Sequence, residues 1–138
     1  MLLPFGVLDP QAVERVIPAA AEAGIAVVAR GIFAAGLLGD VGPDQVQALR
    51  PAQRDLRRVV RELAAAHGMH PLALAAWFAR SRPGVKTVLI GMSTVDHLEA
   101  NVRHLDSAPP SPALRDGLDA ALAAHARADA APTPGGDR

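Results

Sequence analysis

Ile25-Ala26-Val27-Val28-Ala29-Arg30-Gly31-Ile32-Phe33-Ala34-Ala35-Gly36-Leu37-Leu38 is the stretch on which the fold turns. Its first five residues, Ile25 to Ala29, form a continuous apolar run rich in β-branched side chains, without polar alternation. A run of that kind reads as a fully buried strand of the parallel type. It stops at Arg30, and the small residues from Gly31 to Gly42 read as a loop. A second confident strand is Val85-Lys86-Thr87-Val88-Leu89-Ile90.

Helical periodicity fills the interval between the two runs. Residues 51–67 place Leu56, Val59, Val60 and Leu63 on one face, and Gly68 stops the helix. Pro71 opens a shorter helix over Leu72 to Arg80, closed by Arg82-Pro83-Gly84. The series Arg54, Arg57, Arg58 and Arg61, with Asp55 and Glu62, reads as a solvated helix face with some ion pairing. Upstream, residues 2–5 are a short extended run. Asp9 stands where an N-cap belongs, with Pro10 at the first helical position. Val13, Val16, Ile17 and Ala20 make an apolar stripe that Gly24 ends, and Pro18 inside the stripe predicts a kink or an early loss of regularity. Downstream, Gly91-Met92-Ser93-Thr94 turns into a helix from about Val95 to His104, with Asp96 and Glu99 near its positive end. Ser111-Pro112 opens a last helix carrying Leu114, Leu118 and Leu122. Residues 129–138 are small, polar and rich in Pro and Gly, and read as a disordered tail after a folded unit over 1–128.

Strands that alternate with helices imply βαβ crossovers and an α/β fold with a parallel sheet. Here the sheet has three strands, one of them a stub. The helices suffice to cover one face, whereas a parallel sheet needs both faces covered. The second face and both edges would expose apolar surface and unpaired backbone groups. Two architectures answer this: a small three-layer domain with helices on both sides, or a piece of a closed (β/α)8 barrel, which takes about 250 residues.

Composition narrows the function. Among 138 residues, 14 Lys and Arg balance 14 Asp and Glu, so the formal charge is zero, against the basic footprint of a nucleic-acid binder. The absence of Cys excludes a disulfide scaffold, a thiolate metal site and a cysteine nucleophile. The absence of Tyr removes one acid catalyst. No apolar stretch of about 18 residues free of charge predicts a membrane span, and Met1 to Asp9 lacks the basic start of a signal peptide. A cytoplasmic location fits.

The loop after the first run and the segment Val88-Leu89-Ile90-Gly91-Met92-Ser93-Thr94-Val95-Asp96-His97-Leu98-Glu99-Ala100-Asn101 together resemble the last two barrel strands of the aldo/keto reductase family. His67-Gly68-Met69-His70-Pro71-Leu72-Ala73-Leu74-Ala75-Ala76-Trp77 matches the family's intervening helices, and Pro4-Phe5-Gly6-Val7-Leu8-Asp9 is similar to its sixth strand and exit. The likeness runs to about residue 122. It implies a partial (β/α)8 TIM barrel, about the last three βα units. It also implies the C-terminal part of an oxidoreductase that passes hydride from NADPH to a carbonyl.

On that resemblance the candidate cofactor-binding residues are Arg30, Gly31, Phe33, Ala34, Gly36 and Leu37 after one strand, and Gly91, Ser93, Thr94, His97 and Asn101 after the next. Gly31, Ala34, Ala35 and Gly36 let backbone N–H groups approach a pyrophosphate. The turn Gly91 to Thr94 delivers a helix N-terminus, a ready anion site. Ser93 and Thr94 offer hydroxyls to a 2′-phosphate. His97 stands where the family often has a phosphate-binding Arg, and Asn101 where it has an adenine-contacting Asn. Arg30 replaces a frequent aromatic that stacks on nicotinamide, and its planar guanidinium could stack there instead or reach a phosphate; as a buried cation it should have an anionic partner. The family's catalytic Asp, Tyr, Lys and His lie before the sixth strand, so no catalytic residue is assigned in this chain. No metal site is expected. The expected partners are a nicotinamide dinucleotide and, through the open sheet, a second copy or a complementary N-terminal chain. The alternative reading is a non-catalytic nucleotide-binding or interaction module that associates with another chain.

Overall fold

A computed structural model of the chain describes residues 1–13 and 15–130. Three parallel strands, β1 (Leu2–Pro4), β2 (Val27–Arg30) and β3 (Val85–Leu89), lie side by side in that order. Between and after them come α1 (Val16–Glu22), α2 (Pro43–Gln47), α3 (Pro51–Ala66), α4 (Pro71–Arg80), α5 (Val95–Leu105) and α6 (Pro112–Ala130).

The register explains which face is covered. Leu3, Ala29 and Val88 stand in one row across the sheet, and all three pack into the helical core. The rows on either side, Leu2-Val28-Thr87 and Pro4-Arg30-Leu89, point the other way because successive strand residues alternate. On that second face Leu2 is 54% exposed and Leu89 is 55% exposed. Among the described residues helices cover one face only, so the three-layer alternative is not what they adopt. The core joins Phe5, Val7 and Leu8 after β1 with Leu56, Val60, Leu74, Phe78, Leu114 and Leu118 from the helices. Of the other exposed large apolar side chains, Met1, Val16 and Ile25 border one cavity with Pro4 of β1, Met92 lies in the turn after β3, and Val95, Leu98 and Val102 lie on α5.

Several local expectations are corrected. Asp9 caps no helix: its N–H bonds Gly6 O at 3.0 Å in a tight turn, and Gln11–Val13 form a 3-10 turn. The regular helix starts at Val16, after Arg15. Pro18 therefore falls in the first turn of α1, where an N–H has no partner within the helix, and produces no kink. The first buried run is extended from Val27 to Arg30 rather than from Ile25, which is 47% exposed. The segment read as continuous loop holds a 3-10 turn, Ala34–Gly36, and gives way to the short α2, whose N–H at Gly42 is capped by Gln45 Oε1 at 3.1 Å.

The arginine series of α3 is not one solvated face. Arg58 alone keeps the expected role, paired to Glu62 at 3.1 Å in the open. Arg54 donates to Gln47 at the end of α2. Arg57 and Arg61 turn back onto the loop after β2, where they grip the carbonyls of Leu37, Leu38 and Gly39. The last helix reaches Ala130. The rest of the expected tail lies outside the described residues.

Candidate functional site

The carboxyl ends of β2 and β3 open into one cleft of about 700 Å³, bounded by the loop after β2, the turn after β3, the start of α4 and one face of α5. Gly31, Phe33 and Gly36 line it from the first loop, Gly91 and Ser93 from the second, and His97 and Asn101 from α5. These expected residues, far apart in sequence, converge because two adjacent parallel strands end at the same height.

The start of α5 shows how the sequence builds that wall. Thr94 has extended backbone and its Oγ1 accepts from His97 N at 3.1 Å, a regular N-cap. Ser93 Oγ lies 3.2 Å from His97 Nδ1, so a hydroxyl and an imidazole stand together at the mouth. Asn101 is the sole buried residue of α5 and presents an amide one turn further in. Among the described residues no Asp or Glu lines the cleft, so an anion entering it meets the helix N-terminus, a hydroxyl, an amide and two histidines, His97 and His104.

Four expected residues sit elsewhere. Thr94 is occupied as the cap and does not line the cleft; neither do Ala34 and Leu37. The N–H groups of Ala34, Gly36 and Leu37 bond carbonyls within their own loop at 2.8, 2.9 and 3.1 Å, so they are committed inside the turn. Arg30 is exposed on the open sheet face, between the Pro4 and Leu89 positions. It therefore meets no desolvation penalty that would demand an anionic partner.

The loop carries backbone strain. Four of its residues have left-handed φ: Gly31 (70°), Ala34 (50°), Ala35 (55°) and Gly36 (84°). Glycine adopts this region freely, whereas each alanine there costs about 1–2 kcal/mol. Such strain persists only where the surroundings over-determine the chain.

Sequence reasoning missed Leu72, Ile90, Met92, Ala100 and His104 as lining residues. The signal for two of them was present: His97, Ala100, Asn101 and His104 recur at helical spacing on one face of α5. His104 stacks on His70, the N-cap of α4, with ring centroids 4.3 Å apart. Burial, then the His70 and Arg103 charges, push the His104 imidazole below its usual value. Beside the loop, Arg61 bonds Asp40 at 2.7 Å and holds that carboxyl below the ordinary carboxylate range.

The family model for the aldo/keto reductase family matches residues 3–112. The chain belongs to that family. Solved aldo/keto reductases share the fold. The holo form of the aldo-keto reductase AKR11C1 from Bacillus halodurans superposes with a TM-score of 0.71 at 24% identity, over 87% of this chain and 41% of that one. Its apo form gives 0.70 at 25% identity, over 87% of this chain and 42% of that one. The glycerol dehydrogenase AKR11B4 from Gluconobacter oxydans gives 0.69 at 15% identity, over 99% of this chain and 45% of that one. No curated protein sequence matches the chain. The aldo/keto reductase sheet described above is thus a partial (β/α)8 barrel of three βα units, and the chain spans less than half the length of the structures it matches. In barrels of this kind phosphate sites form after the last two strands, at their carboxyl ends. In this aldo/keto reductase chain that is where the cleft lies. Among the described residues no helix is long and apolar enough to cross a membrane.

Proposed function

We propose that this chain supplies the dinucleotide-binding edge of an NADP(H)-dependent aldo/keto reductase. The observation that carries the reading is the convergence of Gly31, Phe33, Gly36, Gly91, Ser93, His97 and Asn101 on one cleft at the ends of two adjacent strands, with no acidic side chain among the described residues that line it. Ser93 and His97, at the α5 N-terminus, would take the phosphate on the adenosine ribose. Asn101, a turn further along the helix, would take the adenine edge. Phe33 and the glycines allow close approach of a flat or extended ligand along the first loop. NADPH supplies hydride to a carbonyl when bound. A proton donor for the resulting alkoxide is not assigned in this chain, which has no Tyr, and in this reading comes from βα units outside these 138 residues.

Accordingly the 138-residue chain by itself reduces aldehydes no faster than buffer while it binds NADPH weakly. A purified chain that turns over a generic aldehyde with NADPH at an enzymatic rate overturns the assignment of the acid. Preference for NADPH over NADH, lost in Ser93→Ala and His97→Ala, tests the 2′-phosphate contact.

A second reading, a non-catalytic nucleotide-binding or interaction module that associates with another chain, is favoured by Leu2 and Leu89 exposed on the uncovered sheet face. Sedimentation with and without NADP(H), together with a carbonyl-reduction assay on the chain joined to the βα units it lacks, separates the two. Turnover in the joined form removes the non-catalytic module, and a concentration-independent monomer with no nucleotide affinity removes both readings.

A further inference from the structure

Behind the cleft, α3 reaches the strained loop with two guanidinium groups one helical turn apart. Arg57 donates through Nε to Leu37 O and through a terminal nitrogen to Gly39 O at 3.0 Å. Arg61 donates to Leu38 O and to Gly39 O, each at 2.7 Å, and to Asp40 at 2.7 Å. Three successive carbonyls are thus held from outside by charge-assisted bonds, which are stronger than neutral ones. The preceding residues, Ala34 to Gly36, are left-handed in succession, and Gly36 faces the cleft. Gly39 N bonds Gly36 O at 2.8 Å, so the gripped segment and the strained turn are mechanically one piece. Leu38, in the gripped segment, is completely buried in the core.

We infer that Arg57 and Arg61 are positioning residues for the dinucleotide: they clamp the Leu37–Gly39 carbonyls and so keep the left-handed Ala34-Ala35-Gly36 turn pressed against the cleft. This rests on the cofactor reading above. Neither arginine lines the cleft, and they act through Gly36. Arg57 reaches its two carbonyls through Nε and a terminal nitrogen, and Arg61 reaches two carbonyls from one terminal nitrogen and Asp40 from the other, a spread of planar donors that a single ammonium group reproduces poorly. Arg58, on the same helix but paired only to Glu62, belongs to no such clamp.

The test uses the full chain, isotopically labelled, titrated with NADPH by NMR, together with amide hydrogen exchange. In Arg57→Ala/Arg61→Ala the amides of Gly36 and Gly39 should exchange at least about tenfold faster while those of β2 and α6 stay unchanged, and NADPH affinity should fall roughly tenfold. Arg58→Ala should match the wild type in both. The Arg57→Lys/Arg61→Lys variant keeps the charge and loses the fork, and should follow the alanine variant. If the double alanine variant does not fold, each single variant, which leaves one arginine on Gly39 O, should show a smaller loss of the same kind. Unchanged affinity in the alanine variants, or full recovery by lysine, overturns the clamp while leaving the cofactor reading intact. A wild-type chain with no NADPH-induced shifts overturns the cofactor reading and the clamp with it.

Discussion

Ser93, Thr94 and His97 occupy one turn of chain yet have three different tasks. Thr94 caps α5, Ser93 meets the His97 ring, and His97 gives its backbone N–H to the cap and its side chain to the cleft. Thr94→Ala should lower stability by about 1 kcal/mol, as loss of an N-cap does, read as a shift in the urea midpoint. Ser93→Ala should leave that midpoint in place and weaken NADPH binding. A Thr94→Ala variant as stable as wild type contradicts the cap. His104 gives a pH dependence with a fixed sign. Its folded-state pKa is depressed, so the unfolded chain takes up the proton first. The stability it contributes is complete above the usual imidazole value of about 6.5 and declines as pH falls through that value toward the depressed one. Thermal midpoints measured between neutral and mildly acid pH should fall less in His104→Gln than in wild type; equal slopes contradict the assignment. At this scale the sequence disclosed residue types and a resemblance. It could not disclose that Arg57 and Arg61 face a loop, because helical spacing places them on a face without saying what that face touches.

Elements were legible where burial imposes a period. Strand β3 and helices α3, α4 and α5 begin and end within a residue or two of where periodicity and Pro or Gly punctuation put them. Helix α1 was misread because Pro18 within a stripe suggests a kink when the helix start is set too early. Helix α2 was missed at five residues, although Gly42-Pro43-Asp44-Gln45 carries its capping signal. Two element-scale predictions follow from close packing. Leu118 of α6 is fully buried in the core, where α6 packs against α3, and Leu118→Ala should cost about 2–5 kcal/mol in chemical denaturation. A Cβ added at Gly6 would meet the backbone of Ile32, with O at 3.1 Å and Cα at 3.3 Å. Backbone cannot step aside as a side chain does, so Gly6→Ala should force the exits of β1 and β2 apart at a cost of about 1–3 kcal/mol. A neutral Gly6→Ala in the same assay contradicts that contact.

The whole molecule is a sheet with one face clothed and one bare. This too was legible, since three parallel strands and helices enough for one face leave no other outcome short of a three-layer domain. Spacing alone left that domain and a barrel arc open; the family resemblance chose the arc, and the uncovered sheet face agrees. Leu2 and Leu89 on the bare face predict association that depends on concentration in the isolated chain. The paired Leu2→Asp/Leu89→Asp substitutions should move sedimentation toward monomer, and a wild type that stays monomeric at every concentration counts against it. The central claim, that these three βα units form the dinucleotide-binding edge, is tested most directly by mapping NADPH-induced chemical shifts on the labelled chain. Bound NADPH should shift the amides of Gly31, Phe33 and Gly36, of Gly91 to His97, and of Asn101. Shifts confined to the separate cavity between Phe78, Arg82 and His125, or none at millimolar NADPH, would contradict it.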